Sequence, residues 1–126
     1  MERVALVAVA GSLGALSRYG LQAWINGILG PTVLSTFVVN VSGAFLLGLL
    51  VGVAEGRVGL PANTRLVLGV GFLGAYTTFS TLMYESANRI EGGAYLTASI
   101  NLIGSIIIGM VAVFAGLVLG RNLSGL

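Results

Sequence analysis

The chain is 126 residues long, with 56% hydrophobic residues, only 8% charged residues, a formal net charge of +2 and a mean hydropathy of +1.02. A soluble fold of this size shows most of its surface to water and carries about a quarter of its residues as charges. Lipid is therefore its solvent. The absence of Cys and His excludes disulfides, thiol nucleophiles, Cys/His zinc sites and a histidine base. The basic residues are all Arg, at positions 3, 18, 57, 65, 89 and 121, too scattered to track a nucleic-acid backbone.

A helix needs about 20 mostly apolar residues to cross about 30 Å of hydrocarbon. Four stretches qualify: Val4–Trp24, Val33–Ala54, Leu66–Tyr84 and Tyr95–Leu119, with Arg18 the only charge among them. The expected architecture is an all-α membrane protein with one four-helix domain over residues 1–126. Turns are expected at Asn26-Gly27 with Gly30-Pro31, at Glu55 through Pro61, and at Arg89 through Gly93. Such short loops make consecutive helices antiparallel neighbours. The first span is too long, and lacks an A-x-A site, to be a removed signal peptide. An even number of spans puts both termini on one side, with Arg3, Arg57, Arg65 and Arg121 there and Arg89 opposite. That leans toward cytoplasmic termini on few charges, a bias that does not forbid insertion both ways round. Gly48-x-x-x-Gly52, Gly116-x-x-x-Gly120 and Ser105-x-x-x-Gly109 let helices approach closely, and point to an oligomer.

Polar groups in hydrocarbon are costly unless paired or facing a wet cavity, so they mark candidate sites. In the first span Arg18 lies deep; it either reaches an interface or pairs with a carbonyl or helix C-terminus, or attracts an anion. In the second, Asn40 shares a helical face with Thr36, Phe37 and Gly43; its amide either bonds another helix or donates into a path. The third span reads Gly69-Val-Gly71-Phe-Leu-Gly74-Ala-Tyr-Thr77-Thr78-Phe79-Ser80-Thr81-Leu82. Three glycines followed by two β-branched residues are a poor recipe for a continuous helix, and a break is expected at mid-span. Thr77, Thr81 and Glu85 recur at i, i+4, i+8, a hydroxyl track ending on an acid. Thr97, Asn101 and Ser105 make a similar stripe in the fourth span. Hydroxyls, an amide and aromatic ring edges without fixed negative charge suit a small anion moving passively.

Taken together, Gly11-x-x-Gly14-x-x-x-Arg18-Tyr19, Asn40-x-x-Gly43 and above all Gly71-x-x-Gly74-Ala-Tyr-Thr-Thr-Phe-Ser-Thr81 closely resemble the CrcB/Fluc fluoride channels of bacteria. The resemblance covers essentially the whole chain, and the Thr-Thr-Phe-Ser-Thr string is its most specific part. It implies an antiparallel, dual-topology dimer in the bacterial cell membrane, with two fluoride pores and a structural Na⁺ at the dimer centre. By position, the carbonyls of Gly74 and Thr77 would hold the Na⁺. Asn40, Phe79, Ser80, Thr81 and Ser105 would line the pore, Glu85 would stand at its end, and Arg18 would have a structural or vestibule role.

One residue departs from the family pattern. The motif commonly continues with a second Phe where this chain has Leu82, so one ring of the aromatic lining is missing from its usual place. Asn101 stands where some members have Tyr. The resemblance implies a homodimer, with a paralogous second subunit as the alternative. The implied activity is passive export of fluoride, giving fluoride resistance. A small multidrug-resistance exporter is the competing four-span reading, but it depends on a membrane-embedded Glu in the first span, where this chain has Arg18. A membrane scaffold without ion flux is the third.

Overall fold

The computed structural model describes residues 1–57 and 59–125. The described residues contain helices and no strand. Helix α1 spans Glu2–Leu29, α2 Leu34–Ala54 and α6 Tyr95–Leu123. The third crossing is segmented: α3 (Ala62–Arg65), a π-helical segment π1 (Leu66–Leu73), α4 (Gly74–Tyr76), two non-helical threonines and α5 (Phe79–Glu91). Four units, with Ala62–Glu91 taken as one, are long and apolar enough to cross a membrane. The chain is a multi-pass membrane protein.

The helices overrun the apolar windows because a helix continues through the interfacial zone beyond the hydrocarbon. This corrects the first turn: Asn26 and Gly27 lie inside α1, and the chain reverses at Gly30, whose φ is +78°. Pro31, which has no N–H to extend the helix, follows. Helix α5 likewise runs to Glu91 and ends on Gly93 at φ +78°, where the Ala94 N–H donates to the Arg89 carbonyl at 2.7 Å.

The most extensive helix pair is α2 with α6. Gly48 and Gly52 press on the backbone of Val113 and Leu117, while Gly116 and Gly120 press on that of Phe45 and Leu49. A methyl group at any of the four would overlap a carbonyl oxygen of the facing helix. The two GxxxG pairs are thus consumed inside one chain, and the expectation of an oligomer draws no support from them. In a bilayer, helix association rests on van der Waals contact, and glycines permit the closest approach. Arg121 pairs with Glu55 at 2.9 Å across the end of this helix pair, and the Ser124 hydroxyl donates to the Gly120 carbonyl at 2.9 Å.

Helix α1 packs on π1, with Gly14 against the Phe72 carbonyl and Ala10 against Gly71. Val39, Leu73 and Tyr76 form the buried core, with Leu21, Leu50 and Phe72 around it. The rings of Phe72 and Tyr76 stack at 6.0 Å. Large apolar side chains elsewhere remain exposed along α1 and α6, as expected of faces that meet lipid or another subunit.

Gly116→Val should lower stability by about 1–3 kcal/mol or more through overpacking. Thermal unfolding in detergent micelles measures it. Gly27→Val, where the added Cβ meets nothing within 4 Å, should change stability far less.

Candidate functional site

The site is built on the interruption between α4 and α5. Thr77 (φ −82°, ψ 156°) and Thr78 (φ −147°, ψ 111°) are extended, a conformation that β-branched residues favour. Two extended residues surrounded by apolar helices need a partner for their backbone, since unpaired N–H and C=O groups are costly without water. Asn40 supplies it from α2. Its Nδ2 donates to the Thr78 carbonyl at 3.0 Å, and its Oδ1 accepts from the Thr78 N–H at 2.7 Å. The side-chain amide thus pairs with Thr78 as a neighbouring strand would.

Other side chains complete the break. The Thr78 hydroxyl caps α5, accepting from the Thr81 N–H at 3.3 Å and donating to Thr81 Oγ1 at 2.9 Å. The Thr77 hydroxyl donates to the Leu73 carbonyl at 3.1 Å. Arg18 reaches in from α1, its Nη1 donating to the Thr77 carbonyl at 3.3 Å. Of the two roles open for Arg18, the structure displays pairing with a carbonyl. Gly43 gives the Thr77 methyl and the Tyr76 ring room to pass, since a Cβ there would strike both. The Tyr76 hydroxyl is 2.9 Å from that of Ser42.

The break sets two helix ends against each other. Among the described residues, nothing donates a hydrogen bond to the Gly74 carbonyl, because the Thr78 N–H that would close that turn goes to Asn40. The end of α4 therefore presents oxygen, which favours a cation, and the start of α5 presents N–H groups, which favour an anion.

Two cavities flank the break. The first, about 420 Å³, is mostly apolar and is walled by Asn40, Gly74, Thr77, Phe79, Leu82 and Ser105, among others. Phe79 is 74% exposed, so its ring stands free in this groove instead of packing in the core. Ser105 Oγ is buried there with no hydrogen-bond partner among the described residues. The second, about 590 Å³, is more polar and is walled by Tyr19, Asn26, Thr32, Thr81, Glu85 and Arg89, among others. Glu85 Oε1 accepts from the Thr36 hydroxyl at 2.7 Å, and Thr36 accepts from Gln22 Nε2 at 3.0 Å. Glu85 Oε2 and Asn26 Oδ1 are buried without hydrogen-bond partners among the described residues. Arg89 donates to the Glu85 backbone carbonyl at 3.3 Å.

Both expected stripes are divided. Two extended residues rotate the chain out of helical phase, so Thr77 faces the first cavity while Thr81 and Glu85 face the second. In α6, Thr97 is exposed. Asn101 is buried and donates to Ser86 Oγ at 3.0 Å, and Ser86 donates to the Leu82 carbonyl at 2.8 Å. Asn101 therefore joins α6 to α5. Ser80 is exposed and walls neither cavity. Sequence reasoning missed Gln22, Thr78 and Ser86 as partners; Gln22, four residues after Arg18 in a span, carried a usable signal.

Asn40→Leu should leave the Thr78 N–H and C=O unpaired, at about 1–3 kcal/mol for each group. Hydrogen exchange across residues 74–81, followed by mass spectrometry, should accelerate by ten-fold or more while α6 is unchanged. Asn40→Asp keeps the acceptor alone and should fall between the two.

Residues 5–117 match the family described as "CrcB-like protein, Camphor Resistance (CrcB)". The chain is 44% identical over 127 residues to the fluoride-specific ion channel FluC of Thermus thermophilus, covering 99% of this chain and 98% of that one. It is 39% identical over 122 residues to FluC of Nitratidesulfovibrio vulgaris, covering 96% and 98% respectively. Fluoride-specific ion channel FluC 2 of Moorella thermoacetica is 46% identical over 111 residues, covering 87% of this chain and 89% of that protein. These similarities span both cavities and the broken crossing, and the chain belongs to the CrcB-like protein family.

Proposed function

We propose that this chain forms a fluoride-selective channel, with no enzymatic activity, working as an antiparallel dimer with two pores in the bacterial cell membrane. The observation that carries the reading is the Asn40-clamped break, which puts α5's N-terminal end, the free ring of Phe79 and the unpartnered Ser105 hydroxyl around one groove. Neutral donors and a phenyl edge can replace the water of a small anion without admitting cations. The relatives' names supply the identity of the ion.

In this reading the anion passes Asn40, Phe79 and Ser105 in the first groove and Thr81 and Glu85 in the second cavity, with exposed Ser80 meeting it outside both. The spare Asn40 N–H is its donor in the first groove, since the other is engaged by Thr78. Arg18 steadies the break. The first groove, open along one side of the chain, is closed by the second copy. A paralogous partner is the lesser option, since every wall of the groove except the usual second ring is present. Hydrogen fluoride crosses membranes neutral and ionises in a less acidic cytoplasm. An inside-negative potential then drives the anion out at about 2.3 kcal/mol per charge per 100 mV, and passive export confers resistance.

A structural Na⁺ fits the chemistry of the break. Among the described residues the Gly74 carbonyl accepts no hydrogen bond, the Thr77 carbonyl has a second lone pair beside Arg18, and both belong to the oxygen-rich end of a half-helix. Two carbonyls from each copy would hold the ion at the dimer centre. Bound there, Na⁺ supplies positive charge that neutralises the facing helix ends.

The test is flux from KF-loaded liposomes, read with a fluoride electrode after a K⁺ ionophore is added. Fluoride should leave and chloride, in the matched assay, should not; equal rates would overturn the reading. Phe79→Ile should cut fluoride flux ten-fold or more with the dimer intact on gel filtration. Leu82→Phe should keep flux, because Leu82 lines the same groove. Removing Na⁺ throughout purification should abolish flux if the cation holds the two halves in register.

A further inference from the structure

A third cavity, of about 330 Å³, lies on a different face of the molecule from the two that flank the break. Its walls are wholly apolar: Leu46, Leu50 and Val53 from α2, Leu60 from the loop, and Leu68 and Phe72 from π1, among others. On α2 the positions 46, 50 and 53 recur at i, i+4, i+7, about a quarter of a turn away from Asn40, Gly43 and Leu47 of the first groove. The π-helical winding of Leu66–Leu73 sets Leu68 and Phe72 across from them, while Gly69 keeps the two helices close, with a Cβ there 3.5 Å from Leu50.

One end of this groove reaches the polar boundary of the fold. Val53 is next to the last residue of α2, and Leu60 sits in the loop between two spans. Arg57 lies in that loop, and Arg65 closes α3 immediately before π1, so both stand at the same end of the fold as Val53 and Leu60. Both are exposed, and neither forms an ion pair among the described residues, whereas Arg121 at the same end is held by Glu55. An apolar groove running toward the end of the fold that carries two exposed arginines is complementary to an anionic phospholipid: acyl chain below, phosphate above.

We propose that the groove between α2 and π1 binds the acyl chain of an anionic phospholipid whose headgroup phosphate is held by Arg65 and Arg57. The site rests on the membrane character of the chain and not on the fluoride reading. It also touches the machinery of the break, because Leu73 walls both this groove and the first cavity, and its carbonyl accepts from both the N–H and the hydroxyl of Thr77. A lipid chain here would buttress the residue on which the break turns.

The test is native mass spectrometry of the full protein in detergent, with palmitoyl-oleoyl phosphatidylglycerol or phosphatidylcholine added. Wild type should retain phosphatidylglycerol about thirty-fold over phosphatidylcholine, consistent with two surface cations. Arg57→Gln with Arg65→Gln should bring the two lipids to parity. Leu68→Trp, which fills the groove, should remove the retained lipid, whereas Val111→Trp on an exposed face of α6 should not. Should Leu68→Trp fail to fold on gel filtration, Leu46→Trp fills the other end of the groove. An undiminished preference in the double Arg variant, unchanged retention with the groove filled, or occupancy by a second protein chain in place of lipid would overturn the proposal.

Discussion

Every other feature of the molecule answers to one constraint: backbone groups shielded from water must find hydrogen-bond partners within the protein. At Thr77 and Thr78 the third crossing abandons the helix, and a single side chain, Asn40, restores both bonds of Thr78. Thr78 then caps α5, Arg18 takes the Thr77 carbonyl, and Gly43 clears the space. None of these residues would have a reason to stand where it does if the helix ran straight.

The interruption also creates the electrostatics. A continuous helix cancels its internal dipoles and shows charge only at its ends. Broken here, it presents an oxygen end and an N–H end beside the same groove. The chain can therefore favour ions of either sign at neighbouring places without a fixed charge other than Arg18. Glu85, midway along α5, and Arg89, in its last turn, are left to the second cavity.

Glycine has the same use in both close helix pairs. Between α2 and α6, and between α1 and π1, it removes a Cβ that would strike a carbonyl oxygen of the facing helix. The GxxxG spacing is identical for contacts within a chain and between chains. Sequence alone could not say which of the two Gly48 and Gly116 serve, because the spacing records how near a partner comes and not whose chain it belongs to.

The sequence by itself determined that the chain is a four-span membrane protein, since composition decides the solvent and hydropathic length decides the spans. It also determined where the third crossing fails, since Gly-rich winding followed by two threonines disfavours a helix. The Thr-Thr-Phe-Ser-Thr string pointed to the family. Periodicity, however, assumed one unbroken helical phase, so it placed Thr77 with Thr81 and Glu85, and Thr97 with Asn101 and Ser105. Only the tertiary structure decided which polar groups are engaged and which stay free. Asn40 and Asn101 are equally polar in sequence; one clamps a broken backbone and the other ties α5 to α6 through Ser86. That choice depends on which atoms lie within about 3 Å across helices far apart in the chain, a distance that no spacing along one helix encodes.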